Sequence, residues 1–263
     1  MRFTLTFRNL RPGAAIPINY QYELSSWIYR ILQEGDSDFS EWLHNHGYRL
    51  NGKQFRLFTF SGLQLPRFKR EDDRLRLFGD FLRLKISFCI EDSAQHFIMG
   101  LFREQAFELG DRISQAPLQV ESIEAIAPPS FSNQYVFHAL SPICISSQPE
   151  GRPQALYHHP KEPKYGQRLL GNLVQKYHAY CLARELPFEE RHFQVGQMGF
   201  RLLNSPKSRL VTLAAHTSRQ TKIRGFMYQF ELQTPPELLR FAYQAGVGEK
   251  NSMGFGFVGE KRE

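Results

Sequence analysis

Ala245-Gly246-Val247-Gly248-Glu249-Lys250-Asn251-Ser252-Met253-Gly254-Phe255-Gly256-Phe257-Val258 is the stretch on which the choice of fold turns. Its four glycines let the backbone take positive φ and present N–H groups without side-chain obstruction. Lys250, Asn251 and Ser252 add donors suited to phosphate. The Gly-Lys-Ser/Thr order of a P-loop is missing. A dinucleotide fingerprint follows a strand and opens a helix, whereas these glycines follow a helical pattern and open a strand. The plain alternative to a binding role is a C-terminal β-turn with a helix cap.

Working outward, Thr234-Pro235-Pro236-Glu237 reads as a helix start, with a Thr cap, Pro at the first helical position and Glu at the third. That helix ends at Gly246, and Gly254–Val258 is expected to form the last strand. Strands are expected at 192–203, 208–216 and 221–232. A helix at about 165–184 carries Leu169, Leu170, Leu173, Val174, Tyr177 and Cys181, and a strand at 134–146 precedes it. The first half has the same order. Phe3, Leu5 and Phe7 alternate with Thr4, Thr6 and Arg8. Asn19 is placed to cap a helix whose apolar face is Tyr20, Leu24, Trp27, Ile28 and Ile31. Asp38-Phe39-Ser40-Glu41 starts a second, short helix with Asp as its cap, ending near Gly47. A strand at 55–60 follows, and 74–78 and 81–90 read as a hairpin around Gly79-Asp80. Asp72-Asp73 reads as a turn. A helix runs from Ala94 to Leu109 and ends at Gly110, and a strand at 112–127 closes the half.

Pro128-Pro129-Ser130 is the expected linker. Each half thus reads β-α-β-β-α-β, the ferredoxin-like (RRM-like) unit. The expected architecture is α+β: two tandem domains, 1–127 and 131–263, repeated in pattern but not in residues. Gly254-Phe255-Gly256-Phe257-Val258 also echoes the core of the RNA-recognition octamer, but Met253 and Glu260 break its ends.

Of the 263 residues, 41% are hydrophobic, which excludes a disordered chain. No apolar run reaches the roughly 18–20 residues of a membrane helix, and from the alternation over Met1–Asn9 no signal peptide is expected. Cys89, Cys144 and Cys181 fit neither a disulfide framework nor a zinc site, so a reducing cytoplasm is the expected location. The net charge of +7 is unevenly spread, because 49–85 and 201–224 each carry a net +6 and leave the remainder acidic. Arg supplies 23 of the 33 cations, and guanidinium forks onto phosphate and stacks on bases. Such segregation suggests a polyanion-binding surface. His158-His159-Pro160 lacks partners at metal-ligand spacing, and no convergent carboxylates propose a two-metal nuclease. No metal and no cofactor are expected.

The Gly-rich C terminus, the tandem pattern and the Met1–Phe7 strand resemble the repeat-associated RNA-binding (RAMP) superfamily of CRISPR systems. More narrowly, Trp42-Leu43-His44, then Leu57-Phe58-Thr59-Phe60-Ser61, then Gly246–Gly256, is similar to the CRISPR repeat-processing endoribonucleases. That resemblance implies metal-independent cleavage of precursor CRISPR RNA within its repeats, leaving a 2′,3′-cyclic phosphate and a 5′-hydroxyl. CRISPR repeat RNA is then the partner. Subunits of an effector complex and a second copy of the chain are further candidates.

In such a reaction the 2′-hydroxyl of the RNA is the nucleophile, and the protein supplies proton transfer and positive charge. His44 is the first candidate, because imidazole ordinarily titrates near working pH and the last turn of a helix favours its protonated form. His46, about 200° further round the helix, is the auxiliary or alternate. Tyr29 lies about 140° from Leu24, off the apolar stripe, with Tyr22 on the same outer face; the resemblance implies a tyrosine on this helix in the site. It also implies a lysine just before Leu57. Arg56 stands there and Lys53 lies three residues earlier, so either can supply the charge. RNA binding falls to Arg201, Lys207, Arg209, Arg219, Lys222 and Arg224, and to Gly246, Gly248, Lys250, Asn251, Ser252, Gly254 and Gly256. The alternative is a non-catalytic RNA-binding subunit of an effector complex; two closely spaced histidines favour catalysis.

Overall fold

The structure is a computed structural model that describes residues 1–151 and 154–260. The first half runs β1 (Arg2–Asn9), α1 (Gln21–Gly35), α2 (Ser37–Asn45), β2 (Phe58–Phe60), β3 (Phe81–Phe88), α3 (Glu91–Arg103), β4 (Ala106–Gly110) and β5 (Gln115–Ala125). Its antiparallel sheet has the order β2-β3-β1-β5-β4. With β4 set aside as an added edge, this is the 4-1-3-2 arrangement of a ferredoxin-like unit. The second half runs β6 (Gln134–Ala139), α4 (Tyr165–Ala183), β7 (Gly199–Leu202), β8 (Lys207–Leu213), β9 (Thr221–Met227), β10 (Gln229–Gln233), α5 (Pro236–Ala245) and β11 (Val258–Gly259). Its sheet, β7-β10-β6-β11, repeats the arrangement, and β8–β9 is a hairpin inserted between its second and third strands.

The alternation of β1 buries Phe3, Leu5 and Phe7 under α1 and α3. There Phe7, Trp27 and Phe107 pack ring on ring, Trp27 stacking on Phe107 at 4.4 Å. Most buried apolar side chains of both halves belong to one cluster, and a smaller one lies under the β8–β9 hairpin. Polar ties cross between the halves as well. Arg2 leaves β1 to lie over the rings of Tyr243 and Phe257, at 3.4 and 4.1 Å, and donates to the carbonyls of Val258 and Tyr243. Thr59 Oγ1 donates to Phe255 O at 3.0 Å. No helix among the described residues is long and apolar enough to cross a membrane.

Several local expectations are corrected. Helix α2 is capped by Asp36, whose carboxylate accepts from Phe39 N, and not by Asp38. Tyr20 and Pro235, without side-chain caps, occupy the positions expected of Asn19 and Thr234. The 74–78 segment does not pair with 81–90. Arg74–Leu77 folds back on Phe68–Glu71 at Asp72-Asp73, while Gly79 N is taken by Arg67 O. The helix expected to reach Leu109 stops at Arg103, and Phe107 and Leu109 are buried from strand β4. The 55–60 strand is split by Leu57 at φ +54°. The 221–232 strand is split at Tyr228, whose buried hydroxyl meets that of Tyr165 at 2.7 Å. The 134–146 strand ends at Ala139, and 192–203 is strand only over β7. In the final segment only β11 joins the sheet.

Candidate active site

Three elements meet at one edge of the molecule: the middle of α1, the end of α2 with the strand after it, and the Gly-rich segment. Helix α2 closes when Gly47 N bonds Trp42 O at 2.9 Å, with Gly47 at φ +54°. A Cβ there would sit 2.6 Å from Phe55 O, so only glycine lets the chain turn back against α2. That turn leaves His44 exposed in the last helical turn and brings Arg56 alongside, where its guanidinium donates to His44 O.

Tyr29 projects from α1 onto the same place. Its ring meets His44 edge-on at 5.2 Å and 83°, and Phe58 at 5.5 Å. It is half-buried against the core, not a free rim residue. Burial pushes its hydroxyl pKa up; the Arg56 charge and side-chain hydrogen bonding from Ser252 and Arg56 pull part of that back. His44 Nδ1 lies 3.0 Å from Asn45 Oδ1, and its ring otherwise faces solvent.

The structure therefore brings Tyr29, His44, Arg56 and Ser252 together. His46 ends α2, where its carbonyl accepts from Gln54 and Arg49 and its ring lies toward Arg49. Lys53 points elsewhere, its Nζ donating to Gln175 of α4 at 2.7 Å. Tyr22 turns to the apolar side of the β8–β9 hairpin.

The Gly-rich segment differs in kind from an open phosphate cradle. Gly246, Gly248, Gly254 and Gly256 are all buried. Gly256 is at φ +73°, and a Cβ on it would lie 1.9 Å from Val247 O. Its N–H bonds Pro142 O, and those of Gly246 and Gly254 bond Ala242 O and Asn251 O. Asn251 works inward too, its amide donating to Val247 O and Phe255 O, each at 3.1 Å. Lys250 is exposed and Ser252 partly so. The sequence reading missed Lys176, a fully buried cation of α4 whose Nζ donates to Gly246 O, Gly248 O and Asn251 Oδ1 at 2.7, 3.0 and 2.9 Å. The signal available was a lysine on an otherwise apolar helix stripe.

On the hairpin, Val211, Leu213 and Ile223 pack down on Phe255 and Cys144, while Lys207, Arg209, Arg219, Lys222 and Arg224 are exposed. Lys222 and Arg224 flank Ile223 and so share the outward face. Arg201 lies apart on β7 and is held by Glu231 through two bonds of 3.0 and 2.8 Å. His158, read as a loop histidine, is buried and joins Ser147 Oγ at 2.9 Å to Glu162 at 2.7 Å, a clasp between loops.

Residues 126–259 match the family described as CRISPR associated protein Cas6, C-terminal, and residues 15–115 that described as CRISPR-associated protein Cas6, N-terminal. The CRISPR-associated endoribonuclease Cas6 1 of Methanocaldococcus jannaschii is 25% identical over 246 residues, covering 92% of this chain and 86% of that protein. The CRISPR-associated endoribonuclease Cas6 of Pyrococcus furiosus is 25% identical over 252 residues, covering 92% and 83%. A solved structure described as a RAMP protein binding different RNA substrates shares the fold, with a TM-score of 0.78 at 23% identity over 98% of both chains.

Proposed function

The chain belongs to the Cas6 family of CRISPR-associated proteins, and on that premise we propose that it is an endoribonuclease that cuts precursor CRISPR RNA within its repeats, without a metal ion. The observation that carries this reading is the meeting of Tyr29, His44 and Arg56 at the end of α2. A proton donor, an oriented hydroxyl and a fixed cation are what transesterification by the RNA's own 2′-hydroxyl requires.

The 2′-oxygen attacks the adjacent phosphorus, and its proton passes to water on the open side of the site. The P–O5′ bond breaks as His44 delivers a proton to the leaving 5′-oxygen. Arg56 lies beside both and neutralises charge on the phosphorane. Tyr29, held neutral by burial, donates to a phosphate oxygen or a ribose and keeps the imidazole turned toward the scissile bond. The products are a 2′,3′-cyclic phosphate and a 5′-hydroxyl. The outward cations of the hairpin hold the RNA, with sequence read from its unpaired nucleotides.

The test is incubation of the purified protein with repeat RNA in EDTA, with the product ends mapped. Cutting in EDTA, lost when the single 2′-hydroxyl before the cut is replaced by hydrogen, is the expected result. Cutting only with divalent metal overturns the mechanism, and tight binding without any cutting favours the non-catalytic subunit instead.

A further inference from the structure

Lys176 occupies a position where an apolar residue would be the cheaper choice. It continues the buried stripe of Leu169 and Leu173 on α4, and burying an ammonium costs several kcal/mol unless its hydrogens are all matched. Here they are matched, and every acceptor belongs to the Gly-rich segment: Gly246 O, Gly248 O and Asn251 Oδ1. Three N–H groups meet three acceptors between 2.7 and 3.0 Å. The neighbouring Gln175 receives Lys53 from the other half. One turn of α4 thus grips both the Gly-rich segment and the strand next to Arg56.

What this grip sets is the short 3₁₀ turn Asn251–Met253. Lys250 at φ +59° and Gly254 at φ +81° bracket that turn, and Asn251 spans it by donating to both Val247 O and Phe255 O. Ser252 lies at its centre. Ser25 of α1 donates to Ser252 O at 2.8 Å. Tyr29 is four residues further along α1, on the same face, and its hydroxyl is the one that Ser252's side chain influences. Hydrogen bonds therefore lead from Lys176 to Asn251 at the start of the turn, and from Ser252 at its centre to Ser25, one helical turn before Tyr29.

We propose that Lys176 is a positioning residue for RNA cleavage: by fixing the carbonyls of Gly246 and Gly248 and the Asn251 side chain, it holds Ser252 against Tyr29 and so sets the tyrosine hydroxyl beside His44. This role rests on the endoribonuclease reading above. It predicts loss of rate without loss of RNA affinity, because Lys176 is buried and touches no outward cation.

The experiment compares wild type, Lys176→Met, Lys176→Gln, Ser252→Ala and Lys176→Met/Ser252→Ala. Single-turnover cleavage is measured on repeat RNA, and affinity on the same RNA carrying a 2′-deoxy nucleotide at the cut. Lys176→Met is expected to slow cleavage about tenfold or more while Kd changes less than about threefold. Lys176→Gln, which keeps an amide donor without the charge and replaces Met should that variant fail to fold, is expected to fall between. In the Ser252→Ala background, removing Lys176 should cost less than about twofold further, since residues acting in series are non-additive. Variants that cleave like wild type, rate and affinity falling together, or effects that multiply in the double variant would each overturn the proposal. A wild-type protein that cuts no repeat RNA overturns the endoribonuclease reading itself, and this role with it.

Discussion

Tyr29 and His44 stand edge to face, their ring centroids 5.2 Å apart and their planes at 83°. One comes from the middle of α1 and the other from the last turn of α2, and the contact fixes the imidazole without using either of its nitrogens on the tyrosine. With Nδ1 beside Asn45, Nε2 is left for substrate. His44→Ala should therefore lower single-turnover cleavage by roughly 10²-fold or more, the usual scale for a proton-transfer group, with little change in RNA affinity. His46→Ala, whose ring lies toward Arg49 and solvent, should stay within about threefold of wild type on that scale. The reverse outcome would move the catalytic histidine by two residues and leave the reaction class standing.

Tyr29→Phe keeps the ring contacts with His44 and Phe58 and removes only the hydroxyl. A drop in rate of about tenfold or more with unchanged thermal stability is expected. Burial raises the Tyr29 pKa above its ordinary value of 10.0, so the hydroxyl keeps its proton throughout the usual assay range. The pH–rate profile of wild type should accordingly show no descending limb from this tyrosine below about pH 10. A limb near pH 8–9 that disappears in Tyr29→Phe would contradict the neutral, orienting role.

Arg56 and Lys53 were equal candidates for the phosphorane charge, and their surroundings separate them. Arg56 reaches His44 O and influences Tyr29, whereas Lys53 is tied to Gln175. Arg56→Ala should cost about 10²-fold in cleavage rate and Lys53→Ala less than tenfold. On the hairpin, Lys222→Ala/Arg224→Ala should lower the slope of log K against log salt by about 1.4–1.8, two phosphate contacts' worth. Arg201→Ala should leave that slope unchanged, because Glu231 already neutralises it. Titrations at four salt concentrations decide both.

How much of this was legible in the sequence depends on the distance over which each signal acts. The apolar spacing of α1, the alternation of β1 and the element order of both halves are local, and they survive in the ferredoxin-like sheets. Helix starts failed where two residues satisfy one pattern: Asp36 and Asp38 are both good caps, and the packing of α1 against α2 chooses between them. The Gly-rich segment was recognised, but its glycines advertise conformational freedom without saying what fills the space. In the fold that space holds Val247 O, Cys144 O and the ring of Phe60, so the glycines serve close packing while Lys250 faces outward. Lys176 could not be assigned because its acceptors lie about seventy residues away.

Lys176 also gives the fold a pH signature. Burial pushes its pKa down to about 7 from 10.5, with Glu249 and Cys89 opposing the shift. The folded-state value of this cation is depressed, so between about pH 7 and 10.5 the unfolded chain holds a proton that the folded chain has released. Stability contributed by this site therefore rises with pH across that window and levels off below pH 7, where both states are protonated. The slope cannot exceed about 1.4 kcal/mol per pH unit. Other buried groups titrate above pH 8, Cys89 among them with its thiol pushed up to about 12, so the difference between wild type and Lys176→Met isolates the lysine. Urea unfolding at pH 6, 7, 8 and 9 should show wild type gaining on the variant from pH 7 upward and running parallel to it below. Parallel curves across the whole range would mean that the three acceptors hold the ammonium charged well past neutrality.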